Sequence, residues 1–248
     1  MGVRKVKVSL FATCITDMFY PNAGKAAVNL LRRFGVGVDF PQGQTCCGQP
    51  AYNSGYMEEA KQAAKQMIRA FEHSEYIIGL SGSCSSMLKK HYVELFEGDP
   101  EWYPKAVSLS EKVYEFSQFF VDVLGITDVG AELNATVTLH IACHTRRGMG
   151  VVDQPEQMLR AVKGLKFVPL PNAEDCCGFG GTFSVKNPEI SEEMVQEKTE
   201  HIEETGAEIL VGTDLACLMN IGGRLRHNGK PIPMMHIAEI LERGLANK

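Results

Sequence analysis

Eight cysteines are the residues of this chain best suited to chemistry, and they fall into two groups of four. The first quartet is Cys14, Cys46, Cys47 and Cys84, and the second quartet is Cys143, Cys176, Cys177 and Cys217. Each quartet has one cysteine, then an adjacent pair, then a fourth, with gaps of 31 and 36 residues in the first and 32 and 39 in the second. We see no export signal, so we expect reduced thiols that serve metal or redox chemistry rather than disulfides.

The residues around the cysteines repeat as well. The segment VSLFATC (8–14) matches VTLHIAC (137–143), and TCCG (45–48) matches DCCG (175–178). The offset is 129 residues for the first cysteine, 130 for the pair and 133 for the last. This pattern indicates an internal duplication and predicts two halves, residues 1–130 and 131–248.

Strand-like and helix-like segments alternate, which predicts an α/β fold of two repeated, Rossmann-like units with mainly parallel sheets. Candidate strands at 5–11, 36–40 and 76–80 precede the cysteines of the first quartet, and those at 136–141, 167–170 and 208–211 precede the second. We also expect a helix over 101–124, between the halves. Because parallel strands end at one edge of a sheet, each quartet should converge into one site.

Four converging thiols suit either zinc or an iron–sulfur cluster. Structural zinc sites usually contain pairs of the form C-x₂₋₄-C, and neither quartet has one. Adjacent cysteines such as Cys46 and Cys47 reach different irons of a wider cluster more easily than they share one tetrahedral ion. The pattern therefore favours iron–sulfur over zinc, with zinc in one or both sites as the alternative. A thiol–disulfide switch is less favoured, because a disulfide between neighbours is strained.

Composition narrows the class of protein. The chain has 248 residues, 44% of them hydrophobic, and 25 basic against 30 acidic side chains give a net charge of −5. That composition is typical of a globular protein and gives no support for nucleic-acid binding. The apolar runs are too short for a transmembrane segment. We therefore expect a soluble, cytoplasmic protein.

A few other side chains are candidates beside the quartets. His144 could donate a hydrogen bond to sulfur, or be an ordinary polar loop residue. Arg146 and Arg147 could attract a carboxylate, although a solvated helix start is the more common role. We interpret Asp214 as a turn or cap residue and His236 as a cap or core residue.

Several long motifs resemble one known family. They are TCCGQPAYNSGY (45–56), DCCGFGGTFSVK (175–186), CLMNIGGRL (217–225) and MHIAEIL (235–241). With these motifs the chain resembles the CCG-domain (cysteine-rich) family of iron–sulfur oxidoreductase subunits, and within it the members that serve lactate utilisation. The resemblance implies a cytoplasmic component of a three-protein system that oxidises L-lactate to pyruvate, with a second iron–sulfur protein and a third small subunit as partners.

One branch of that family carries a fifth cysteine in a final C-x-x-C, where this chain has Met87 and Asn220. Four ligands per half fit an ordinary 4Fe–4S cluster better than the unusual cluster of that branch. No motif for a flavin, a nicotinamide or a catalytic triad is present. We therefore expect an oxidoreductase component that relays electrons within a complex. The alternatives are a zinc-bound scaffold subunit and an iron–sulfur subunit acting on another 2-hydroxy acid, such as glycolate.

Overall fold

The computed structural model describes residues 6–246, which form eight strands and fourteen α-helices. The strands are β1 (Lys7–Phe11), β2 (Gly37–Asp39), β3 (Tyr76–Gly79), β4 (Val113–Glu115), β5 (Glu132–His140), β6 (Lys163–Phe167), β7 (Ile209–Gly212) and β8 (Met234–His236).

The helices alternate with these strands along the chain. They are α1 (Cys14–Phe19), α2 (Pro21–Arg33), α3 (Gln49–Asn53), α4 (Met57–Ala70), α5 (Gly82–Ser86), α6 (Tyr92–Leu95), α7 (Tyr103–Lys112), α8 (Phe116–Gln118), α9 (Cys143–Met149), α10 (Asp153–Arg160), α11 (Phe183–Lys186), α12 (Pro188–Glu204), α13 (Leu215–His227) and α14 (Ile237–Ala246). Two π-helical turns, Met87–His91 and Phe119–Val123, extend α5 and α8. Among residues 6–246, no helix combines the length and the apolar character needed to cross a lipid bilayer.

The strands form two four-stranded sheets with the same topology. Their orders are β2-β1-β3-β4 and β6-β5-β7-β8, and every pair within them is parallel. The central register pairs Leu10 with Ile78 in the first sheet and Leu139 with Val211 in the second. The predicted α/β fold of two repeated units with parallel sheets is confirmed.

The fourth strand of each sheet did not emerge from the sequence. We expected one helix over 101–124, but β4 interrupts it at Val113–Glu115, and β8 lies just before the C-terminal helix. Three residues are too few to show a strand period, so these edge strands are recognisable only from their pairing with β3 and β7. Strand β6 also lies at 163–167, earlier than the expected 167–170.

The last helix of each half packs against a helix of the other half. Helix α14 contacts α2, where the Asn29 amide donates a hydrogen bond of 2.5 Å to Glu242. Helix α8, with the π-helical turn that extends it, likewise contacts α10. There the Gln154 amide donates a hydrogen bond of 2.9 Å to the Asp122 carboxylate. Because of these helix contacts, both sheets contribute to one apolar core, and the two units share buried surface.

The sheets meet at the carboxyl ends of their central strands. Ser81 follows β3, Asp214 follows β7, and the two residues form an antiparallel bridge. Helices α5 and α9 pack beside that bridge through small residues. A Cβ on Gly82 would lie only 2.7 Å from Thr145 Cβ, so glycine permits the close approach. The edges that carry the cysteines therefore face each other across the molecule.

Candidate metal centre

Every cysteine of the first quartet lies in a strand-to-helix connection or in the first turn of the helix that follows it. Cys14 begins α1, which Thr13 caps by accepting a hydrogen bond from the Thr16 N–H. Cys84 lies in the first turn of α5, which is capped by the side chain of Ser81. The adjacent pair occupies the loop between β2 and α3. Serine and threonine are strong N-cap residues, so the sequence itself places these helix starts.

The second quartet repeats the arrangement. Cys143 begins α9 after β5, and Cys217 lies in the first turn of α13, which Asp214 caps. The adjacent pair follows β6 and precedes α11. The duplication seen in the sequence is therefore a duplication of the site as well as of the fold.

The backbone of each adjacent pair is tied to the helical segment that carries the fourth cysteine. Tyr92 donates its hydroxyl hydrogen to the Cys47 carbonyl at 2.8 Å, and the Asn220 amide donates to the Cys177 carbonyl at 2.8 Å. Two different side chains thus perform the same task in the two halves. Asn220 is one of the residues that replaces the additional cysteine of the other family branch.

The glycine after each pair is required by the backbone. Gly48 has a φ of 82° and Gly178 a φ of 78°, in the left-handed region that side chains disfavour. A Cβ on Gly178 would lie 2.7 Å from the Ser191 carbonyl oxygen of α12. The Gly178 N–H also points back to Cys176 Sγ at 3.4 Å. The glycine thus turns the chain and supplies a donor to sulfur.

In the first quartet the sulfur atoms form a chain of contacts from Cys14 through Cys46 and Cys47 to Cys84. The thiols of Cys14 and Cys47 donate hydrogen bonds to Cys46, and together with the Gly48 N–H they hold the pKa of Cys46 far below its ordinary value. The hydrogen bond that Cys14 gives to Cys46 raises the pKa of Cys14. One thiolate is therefore favoured within each group of thiols.

The second quartet has the same electrostatics. Cys143 Sγ lies 4.0 Å from Cys176 Sγ, and hydrogen bonds from Cys143 and Cys177 lower the pKa of Cys176 strongly. The pKa of Cys143 is raised by its hydrogen bond to Cys176. Cys177 contacts Cys217 in turn. All eight cysteines are free thiols.

Both quartets line one cavity, which sequence reasoning did not anticipate. We expected one site at the edge of each sheet, but a single cavity of about 320 Å³ contains all eight cysteines in its wall. Apolar side chains complete much of that wall, including Ile15, Phe179 and Val185. Because the two carboxyl edges face each other, the two groups of four thiols open into the same partly enclosed space.

Asp214 joins the two halves beside this cavity. One carboxylate oxygen accepts hydrogen bonds from the Ala216 and Cys217 N–H groups at 3.0 and 3.4 Å. The other oxygen accepts from the Ser81 hydroxyl at 2.6 Å, and from the Ser83 N–H and hydroxyl at 3.0 and 2.7 Å. The side chain is fully buried. The interpretation of Asp214 as a cap is confirmed, and its bridge to the other half is new.

The remaining candidates divide into those near the cysteines and those away from them. His144 lines the cavity, and its Nδ1 lies 3.5 Å from Cys143 Sγ. Arg146 instead pairs with Glu174 at 3.2 Å, and neither Arg146 nor Arg147 lines the cavity wall described here. Met87 is fully buried in the apolar cluster around Cys47.

His140 is the nearby residue that the sequence analysis missed. It ends β5, is fully buried, and has no hydrogen-bond partner for either ring nitrogen. One of its ring nitrogens and the sulfur atoms of Cys177 and Cys217 lie within 4.8 Å of one another. The signal was present in the duplication, because this histidine takes the position that Phe11 holds in the repeated strand.

The donor set fits a metal group with thiolate ligands. Each quartet brings four sulfur atoms together, holds one as a readily formed thiolate, and supplies a backbone N–H to it. Metal binding to cysteine requires deprotonation and displaces thiol protons, so a group of thiols already biased toward thiolate favours binding. Both quartets therefore meet the chemical requirements of a metal or cluster site.

Comparison with known proteins agrees with this arrangement. The family described as "Cysteine-rich domain" (CCG) matches residues 8–89 and 137–222, one match in each half. A hypothetical protein from Helicobacter pylori shares the fold with a TM-score of 0.71 at 12% identity, and the match covers 100% of this chain and 50% of that one.

Relatives of much higher identity share one name. "Lactate utilization protein A" of Geobacillus sp. (strain WCH70) is 61% identical over 95% of this chain and 99% of its own length. The protein of that name from Oceanobacillus iheyensis is 58% identical over 95% and 96%. "Lactate utilization protein A 2" of Bacillus cereus (strain 03BB102) is 55% identical over 97% and 99%. The chain therefore belongs to the cysteine-rich CCG-domain family, among the relatives named Lactate utilization protein A.

Proposed function

We propose that this chain is an iron–sulfur electron-transfer subunit that serves the oxidation of L-lactate to pyruvate. The observation that carries the proposal is the single cavity walled by two equivalent groups of four free thiols. Two cluster sites on one partly enclosed, largely apolar space suit the relay of single electrons, because a short separation and the exclusion of water both favour such transfer.

Each quartet would hold one 4Fe–4S cluster. Such clusters are bound by four cysteine thiolates and, when bound, supply one-electron transfer. The residues around them have separate tasks. Tyr92 and Asn220 fix the adjacent pairs, the N–H of Gly48 and Gly178 donates to sulfur, and Asp214 holds the two final cysteine helices together.

The choice of lactate rests on the relatives. Their names contain lactate utilisation, and this chain matches them over nearly their full length. Oxidation of a 2-hydroxy acid removes two electrons and two protons, and an organic cofactor usually accepts the hydride. We therefore place hydride removal on a partner, with a second iron–sulfur protein and a third small subunit completing the system. Free thiols suit the reducing cytoplasm, where we place the protein. We also propose residue 130 as the boundary between the two units.

Metal analysis of anaerobically purified protein tests the proposed clusters. We expect about eight iron atoms and a matching amount of sulfide per chain in the wild type, as two four-iron clusters require. Cys47→Ser and Cys177→Ser should each retain about half of that iron, because each removes one ligand from a different quartet. Thr182→Ala is the matched control, since Thr182 lines the same cavity with a hydroxyl group.

The outcomes of that analysis separate the proposals. Stoichiometric zinc without sulfide would replace the electron-transfer role by that of a zinc-bound scaffold. Iron that is unchanged in both cysteine variants would refute the ligand assignment. Growth of a strain lacking the gene tests the substrate: we expect loss of growth on L-lactate with growth on glycolate retained, and the opposite pattern would assign the subunit to glycolate.

A further inference from the structure

The duplication gives the two halves corresponding positions around the sulfur atoms, and at one of the positions that differ the second half carries an imidazole. Phe11 ends β1 and His140 ends β5, at corresponding places in the repeated strand. Phe11 is fully buried and packs edge-on against Phe71, with ring centroids 5.9 Å apart, in the apolar cluster that includes Cys47. An apolar ring therefore lies behind the first quartet, where the second quartet has an imidazole.

The imidazole of His140 is buried without a partner of its own. Neither ring nitrogen has a hydrogen-bond partner, although the residue is fully buried. Leaving a buried donor unpaired is costly, and a neutral imidazole always carries one N–H. The sulfur atoms of Cys177 and Cys217 lie nearby, each within 4.8 Å of a ring nitrogen of His140. A sulfur-bound group at this site would give that N–H its missing acceptor.

We propose that His140 donates its N–H to the sulfur of the group held by the second quartet, and thereby makes the second site more readily reduced than the first. This inference rests on the proposed function, in which both quartets hold iron–sulfur clusters. A hydrogen bond to cluster or thiolate sulfur stabilises the more negative, reduced form and raises the reduction potential. His140 is thus a positioning and tuning residue rather than a fifth ligand.

The other groups near the sulfur atoms do not cancel this difference, and the buried ammonium of Lys198, which interacts with Cys176 and Cys177, acts on the second site in the same direction. The backbone N–H after each adjacent pair donates to sulfur in both halves. Asp214 accepts hydrogen bonds from both final cysteine helices, so its charge acts on both sites. His144 contacts Cys143 and corresponds to Ile15 in the first half, so it adds to the same asymmetry.

A potentiometric titration followed by electron paramagnetic resonance tests the proposal on anaerobically prepared, iron-replete protein. We expect two different midpoint potentials in the wild type. His140→Phe should lower the higher potential toward the lower one and leave the lower one in place. His140→Gln, which retains an N–H donor, should preserve most of the separation. Phe11→His is the converse variant and should raise the lower potential.

Several results would overturn the inference. Unchanged potentials in His140→Phe, at full iron content and with a native circular dichroism spectrum, would refute the tuning role alone. Loss of about half of the iron in that variant would make His140 a ligand and would also refute it. If His140→Phe does not fold, His140→Gln and Phe11→His decide the matter through the same titration. Wild-type protein that binds no iron would overturn the proposed function together with this inference.

Discussion

Removal of the Asp214 carboxylate should destabilise the whole chain, because this side chain caps one cysteine helix and holds the other. In Asp214→Ala the N-cap of α13 is lost, which costs about 1 kcal/mol. The bonds from Ser81 and Ser83 to the carboxylate are lost as well. The two serine hydroxyls already lie 3.0 Å apart and can pair with each other, but the Ser83 N–H is left without its acceptor.

Hydrogen bonds to a charged group contribute about 1.5–3 kcal/mol each, so the loss of this bridge adds about 2 kcal/mol to that of the cap. We therefore expect Asp214→Ala to lower the free energy of unfolding by about 3 kcal/mol. Asp214→Ser should lower it by about 2 kcal/mol, because a serine retains the cap, as Ser81 does for α5, but does not reach the other half.

Urea unfolding of the metal-free, reduced protein measures these differences from the shift in midpoint at constant m-value. Asp153→Ala, an exposed aspartate in the first turn of α10, is the matched control and should leave the midpoint in place. If Asp214→Ala unfolds at the wild-type midpoint, the carboxylate does not connect the halves as described. If Asp214→Ser is as destabilised as the alanine variant, the division between cap and bridge is wrong.

Two further predictions concern the contact between the halves and the buried acid of β4. Gly82→Ala should lower stability by about 1–3 kcal/mol, because its Cβ would lie 2.9 Å from Thr145 Cα, whereas Gly223→Ala on α13 has open space and should be neutral or stabilising in the same denaturation assay. Full burial raises the pKa of Glu115 to about 7 from an ordinary 4.5. The protonated acid therefore stabilises the fold at low pH, and this contribution is lost as the pH rises through 7. Between pH 5 and 8 the wild type should lose about 2.5 kcal/mol more than Glu115→Gln, and parallel stability curves for the two proteins would contradict this.

Much of the fold was predictable because its signals are local. The strands before Cys14 and Cys143 share a period of two, with Val8 and Leu10 in one and Val137 and Leu139 in the other. Prolines stand at the first positions of the amphipathic helices α2 and α12. The repeated spacing of the cysteines indicated a duplicated α/β unit, because a similar sequence folds in a similar way. Strands β4 and β8 were not predicted. Each has only three residues, too few to show the two-residue period of a strand, and each is recognisable only from its pairing with a neighbouring strand.

The sequence singled out the eight cysteines that line the cavity, but not the way in which the two quartets come together. Residue type and spacing identified all eight thiols, because only cysteine offers such a soft ligand and the strand ends bring distant cysteines to one edge. The spacing contained no information on how the two edges lie relative to each other. That geometry comes from contacts between residues far apart in the chain, such as Asp214 with Ser81 and Gly82 with Thr145.

The sequence by itself thus determined which side chains could serve as ligands and which elements carry them, since both follow from side-chain chemistry and short-range periodicity. The packing of the halves decided that the two quartets share one cavity, that α14 and α2 join the halves, and that His140 faces sulfur without another partner. These features depend on close contacts between residues that are distant in the sequence, where size and shape complementarity in three dimensions select the arrangement.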